Sequence, residues 1–205
     1  MTISERAPDE HEVARPVDPY APDGRSRGVH VLTTGHSTRP IETMVEMLRD
    51  AGVELLADVR TIPRSRHNPQ YESDALAASL RIAGIAYQHM PALGGLRKPA
   101  RDATANAAWR NASFRGFADY MQTPEFAAAL DELIALAEVQ TVAIMCSEGA
   151  PFRCHRSLIA DALVAHGVGA SEIGAHGHLR PHRLTSFAKV EGIAVTYPAD
   201  EPPRG

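Results

Sequence analysis

The sequence predicts a single α/β domain with a mainly parallel sheet of four to six strands, helices on both faces and a site at the strand C-terminal ends. Three observations carry this expectation. Short apolar runs alternate with longer amphipathic segments, the pattern of βαβ units. The runs are near-continuously apolar, as strands buried on both faces require. Polar, reactive residue types collect where the runs end, and open sheets of this kind bind ligands at that edge.

Residues 1–27 mix Pro, Asp, Glu and Arg without periodicity and predict a disordered or loosely attached arm, leaving 28–200 for the domain. "VHVLTTGHS", from Val29, is the first strand. Pro40 opens a helix with Ile41, Met44, Val45 and Leu48 on one face, and Gly52 ends it. "VELLADVR" is the second strand, followed by the polar loop "TIPRSRHNPQYES". "DALAASLRIAG" is a helix with the same Ala-Gly ending, and "IAYQHMP" is the third strand.

The segment after it has no clear period, so residues 96–115 read as a long mobile or lid-like loop. Its Trp109 and Phe114 suit either stacking on a planar ligand or anchoring the loop to the core. "FADYMQTPEFAAALDELIALAE" is helical and restarts at Pro124. "QTVAIMC" is the fourth strand, and "HRSLIADALVAHG" is an amphipathic helix closed by Gly167. "SEIGAHGH" reads as a fifth strand, "PHRLTSFAKVEG" holds a short helix, and "IAVTYP" ends the domain.

Hydrophobic residues make up 44% of the 205-residue chain, enough for a core and too many for a disordered protein. A net charge of -4 and a pI near 6.2 give no basic footprint, which argues against a nucleic-acid partner. No apolar run reaches the roughly 18 residues of a spanning helix. The first residues lack a signal-peptide core. The expectation is a cytoplasmic protein without membrane attachment, whose two cysteines are reduced thiols. Composition leaves the oligomeric state undefined.

Each strand tip delivers functional residue types. The first gives Gly35-His36-Ser37, and the second gives Asp58-Val59-Arg60 with Ser65 and His67 beyond. The third gives His89-Met90-Pro91 and then Gly94-Gly95, and the fourth gives Cys146-Ser147-Glu148. The stretch "CSEGAPFRCHR" then returns with Cys154, His155 and Arg156, expected in the first turn of the next helix. Free N–H groups and the helix dipole would favour an anion there and lower a thiol pKa. On that position Cys154 is the better thiolate candidate, and Cys146 is better placed to face a ligand. The alternative is that both are small buried hydrophobes.

Three chemistries suit these residues. A thiolate nucleophile in an oxyanion-cradling loop, as in Cys-based phosphatases and rhodanese-type sulfurtransferases, is opposed by Glu148, whose charge repels phosphate, and by Pro151, which has no N–H. A metal could take Cys146, Cys154, His155 and His36, although the spacing lacks the short Cys pairs of structural zinc sites. His176, His178 and His182 form a weaker set that reads as a solvated loop. Finally, Asp58 and Glu148 can divide acid and base roles, with Arg60 and Arg156 clamping an anion. Against this, Asp58 and Arg60 share a strand face and can simply pair.

Taken together, "GHS", "DVR" with Pro63 and Ser65, Tyr87 followed by "LGG", "YM.TPEF" and "C.E.....CHR" resemble the domain of unknown function 488 family, from about Val29 to Ala165. The charged insertion after Gly95 and the N-terminal arm depart from its pattern. The resemblance implies a compact α/β domain and supplies no reaction. The function expected from the site is binding of a small anionic ligand of phosphate or nucleotide type, with hydrolase or transferase chemistry. Cys146, Cys154, Asp58, Glu148 and His36 are the catalytic candidates. Ser37, Arg60, Ser65, Tyr87, Gly94, Gly95, His155 and Arg156 are the binding candidates. No cofactor is required. A non-catalytic binding module and a Cys/His metal site are the alternatives.

Overall fold

The computed structural model describes residues 28–101 and 103–199; the predicted arm, 1–27, lies outside the described residues. Eight strands are present in them: β1 (His30–Gly35), β2 (Leu55–Asp58), β3 (Ala86–His89), β4 (Val142–Cys146), β5 (Gly169–Ile173), β6 (Leu179–Pro181), β7 (Lys189–Glu191) and β8 (Ala194–Thr196). The first six form one sheet in the order β3-β2-β4-β1-β5-β6. The pairs among β1 to β5 are parallel and β6 is antiparallel to β5. β7 and β8 make a separate hairpin.

Among the described residues, five α-helices cover the sheet: α1 (Ile41–Asp50), α2 (Ser73–Ile82), α3 (Ala112–Tyr120), α4 (Pro124–Val139) and α5 (Arg156–Ala165). Successive strand residues point to opposite faces, and the two cores follow that alternation. Leu32, Leu56, Ala143 and Met145 pack with Met44 and Leu48 of α1 and Leu76 and Leu80 of α2. Val31, Ala57, Ile144 and Cys146 pack with Phe117 of α3, Leu130 of α4 and Leu158 of α5. Helices therefore lie on both faces, as the sequence predicts. Each fully buried leucine contributes on the order of 2 kcal/mol through the apolar area it removes from water.

The local signals explain most boundaries. Pro40 precedes α1 as its N-cap, and Gly52 and Gly84 follow α1 and α2 with φ of +68° and +78°, a conformation that glycine adopts without strain. Thr123 caps α4 by accepting the Phe126 N–H, and Pro124 occupies its first turn.

Three expectations need correction. The long connection ends sooner than predicted, because Asn111 accepts the amides of Ser113 and Phe114 and starts α3 at Ala112. The fifth strand begins at Gly169 and stops at Ile173; Ala175–Gly177 is a single 3-10 turn, and β6 runs back beside β5. No helix forms in "PHRLTSFAKVEG". Leu184, Phe187 and Val190 are each left about two-fifths exposed, and Lys189 and Glu191 pair with β8 instead.

Among the described residues, no helix is long and apolar enough to cross a membrane.

Candidate functional site

β4 lies between β1 and β2. The chain leaves β1 and β2 toward the α1/α2 face and leaves β4 toward the α5 face. Adjacent connections that diverge in this way open a crevice at the strand C-termini. Cys146 ends β4 at that switch point, registered against Gly35 of β1. The "GHS" segment meets both parts of the cysteine stretch: His36 N–H donates to the Cys146 carbonyl oxygen at 3.0 Å, Ser37 N–H donates to that of Ser147 at 2.9 Å, and Gly35 lies against the Arg156 guanidinium.

From Cys146 the chain loops back through a 3-10 turn, Pro151–Arg153, to Cys154. Cys154 is extended (φ -134°, ψ 144°) and precedes α5, whose N-cap is His155. It therefore sits before the helical turn in which the sequence places it. Both cysteines are free and buried. Their sulfurs and Nδ1 of His155 lie within 4.8 Å of one another. The Nδ1 atom is 3.6 Å from Cys154 Sγ and 3.9 Å from Cys146 Sγ.

The imidazole is fixed on three sides. Nε2 lies 3.1 Å from the Val59 carbonyl oxygen. A carbonyl only accepts, so Nε2 donates its proton there and Nδ1 is the ring nitrogen turned toward the sulfurs. Phe117 meets the ring edge-on at 5.0 Å. A Cβ on Gly95 would lie 2.4 Å from Nδ1, so the absence of a side chain there admits the ring.

One sulfur holds the charge. The Cys154 thiol donates to Cys146 and, with His155 beside it, holds the Cys146 thiol well below the usual range despite burial. That same hydrogen bond, together with burial, pushes the Cys154 thiol up against the pull of Arg156. The preference is the reverse of the one expected from helix position, because Cys154 lies outside the helix and serves as the donor.

Arg60 and Asp58 form a buried bidentate pair, with Nε to Oδ1 at 2.8 Å and Nη2 to Oδ2 at 2.5 Å. Tyr87 also donates to Asp58 Oδ2, at 2.9 Å. Arg60 further donates to the Tyr71 carbonyl oxygen at 2.8 Å and meets His36 Nε2 at 3.5 Å. These bonds engage Asp58 and Arg60 with each other, the simpler of the two readings. The hydrogen-bond partners of Asp58 are Arg60 and Tyr87, while the Glu148 side chain is exposed. His36 is buried, stacks on Tyr71 at 4.1 Å and donates Nδ1–H to the Ser37 carbonyl. Burial, with Arg60 beside it, lowers its pKa, so it is neutral and supports Arg60.

The remaining candidates divide in the same way. Ser65 accepts the Asn68 amide and shapes its own loop. Gly94 packs on Thr61, where a Cβ would meet Oγ1 at 2.4 Å. Ser37 has a φ of 48°. Arg156 is buried and does not line the cavity above the sulfurs. That cavity, about 310 Å³, is lined by Cys146, Cys154, His155, Gly95, Glu148 and Arg153, with Arg60, Arg64, Leu96 and Phe114 among its other walls. Trp109 stacks with Phe114 and packs edge-on against Phe187 and Tyr197, anchoring the 96–115 segment. His182 pairs with Asp161 at 2.7 Å, while His176 and His178 are exposed.

The fold and site together define an α/β domain carrying a dithiol–imidazole cluster at the switch point of a parallel sheet. The family model described as "Domain of unknown function DUF488" matches residues 40–163, more than half of the chain. The protein belongs to the DUF488 family. Comparison with curated proteins finds no match, and comparison with solved structures finds none.

Proposed function

We propose that the protein is a cysteine-dependent hydrolase or transferase acting on a small anionic substrate. The observation that carries this reading is His155 Nδ1, fixed by the Val59 carbonyl and turned toward two sulfurs under an open cavity. A nucleophile, a base and a group orienting the base is the general arrangement of covalent catalysis. Cys146 is the nucleophile. Its sulfur bonds to the electrophilic atom of the substrate, and the bond to the leaving group breaks. The departing atom takes the proton from the His155 imidazolium. In the second half, Nδ1 removes a proton from water or an acceptor hydroxyl, whose oxygen displaces the thiolate. Arg64 and Arg153, both exposed on the cavity wall, hold the anionic part of the substrate. Asp58, Arg60, His36 and Tyr87 support the wall and take no chemical part.

A second reading rests on the same three atoms. Cys146, Cys154 and His155 offer two sulfurs and one nitrogen, and a catalytic zinc uses three such ligands with a fourth position open. The Val59 carbonyl would serve as the outer partner that orients a ligating histidine. The Arg156 Nε–H, 3.4 Å from Cys154 Sγ, places a cation beside one ligand and favours the metal-free reading.

The test is intact-mass analysis of the protein after exposure to a panel of phosphate esters, thioesters and activated carboxylates. Turnover with a transient adduct mapped to Cys146 supports the enzyme. One equivalent of zinc in untagged protein, without any cysteine adduct, replaces it with the metal site.

A further inference from the structure

A second cavity, about 290 Å³, shares no lining residue with the first. The start of α5, β5 and the β6 segment form its walls, through Arg156, Ser157, Glu172, Arg180, His182 and Arg183. Its notable member is Arg156, which is 1% exposed. The guanidinium donates Nε–H to Cys154 Sγ at 3.4 Å and Nη2–H to the Glu148 carbonyl oxygen at 2.6 Å. Its Nη1 is buried with no hydrogen-bond partner. Among the described residues, no carboxylate forms an ion pair with Arg156.

A buried donor left unsatisfied is costly, more so when it is charged. The acidic groups nearby are engaged elsewhere: Glu172 pairs with Arg180 at 3.0 Å, and Asp161 with His182. Arg156 and Arg183 thus bring positive charge to the cavity without a matching carboxylate. Guanidinium N–H groups match oxyanions in shape and charge. A volume near the lower bound of roughly 300 Å³ for small-molecule sites suits a compact metabolite better than a dinucleotide.

We propose that this cavity binds a small phosphate-bearing molecule, with Arg156 as the buried contact and Arg183 as the contact at its mouth. The site is separate from the dithiol chemistry and stands whether or not Cys146 is a nucleophile. The guanidinium is shared, however: Arg156 lines this cavity and its Nε–H bonds to Cys154.

The test is titration of the full chain with inorganic phosphate at constant ionic strength, followed by calorimetry. Three proteins are compared: the unmodified chain, the chain alkylated at Cys146 alone, and Arg183→Ala, an exposed position on which the fold does not rest. Saturable binding is expected in the first two, and loss of the Arg183 contact should weaken it about tenfold. Three results would overturn the proposal: no saturable binding, unchanged affinity in Arg183→Ala, or binding that disappears on alkylation, which would put phosphate in the dithiol cavity.

Discussion

His155 and Val59 are joined by a hydrogen bond from the imidazole Nε2–H to a main-chain carbonyl, 3.1 Å long, across 96 residues of sequence. It decides which ring nitrogen meets the sulfurs. Removing the ring in His155→Ala takes a hydrogen-bonding partner from the Cys146 thiolate. The inflection in a pH profile of alkylation should move up by about one unit, the size expected for losing one such contact. A profile identical to that of the unchanged protein would remove the imidazole from the mechanism.

Two glycines near the site differ in what they protect. A Cβ on Gly95 meets the His155 ring at 2.4 Å, and a ring can shift. Gly95→Ala should cost about 1–3 kcal/mol and move the alkylation inflection in the same direction as His155→Ala. A Cβ on Gly35 would overlap the Glu148 carbonyl oxygen, a main-chain atom that cannot swing aside. Gly35→Ala should therefore unfold more readily in denaturant than Gly95→Ala. Equal midpoints would contradict the packing described.

Asp58→Asn tests the division between structure and chemistry. It leaves the Arg60 guanidinium buried without its counter-charge, which should cost about 3–5 kcal/mol. The expected result is a large loss in urea stability, with residual folded protein keeping the unchanged alkylation profile of Cys146. A variant with full stability and abolished turnover would restore Asp58 as an acid or base.

Stability should also depend on pH through the thiols. The unfolded chain holds a cysteine proton up to about pH 8.5, whereas the native state gives up the Cys146 proton far below that. Below pH 8.5 the unfolded state binds more protons, so stability rises with pH. Above it the unfolded chain loses both protons while native Cys154 keeps its own, and the gain reverses. The stability difference between the unchanged protein and Cys146→Ser should peak near that pH. A difference flat from acid to alkaline pH would mean that no native thiolate exists.

The sheet was legible because fully apolar strands and amphipathic helices leave different periods in a sequence, and because crossover handedness sends the strand tips to one pole. Met44 and Leu48 or Val142 and Ile144 announce their faces. Partner choice at the site was less visible. Asp58 has Arg60 two residues away in sequence and Glu148 on a neighbouring tip, and only coordinates decide between them. Arg156 lines the second cavity and not the one above the sulfurs, and residue type does not record which side of the helix start a side chain takes. The Val59 carbonyl was out of reach because a main-chain acceptor leaves no trace in residue type. The tight glycine pair at 94–95 was a faint sign that something large fills the space, and His155 is what fills it.

The most direct measurement is alkylation of the unchanged protein across pH, with each cysteine followed separately by peptide mass spectrometry. One inflection far below the ordinary thiol range, belonging to Cys146, with Cys154 protected until Cys146 is blocked, is the predicted result. Two cysteines titrating together near pH 8.5, the value of an unperturbed thiol, would contradict a shared proton and with it the proposed nucleophile.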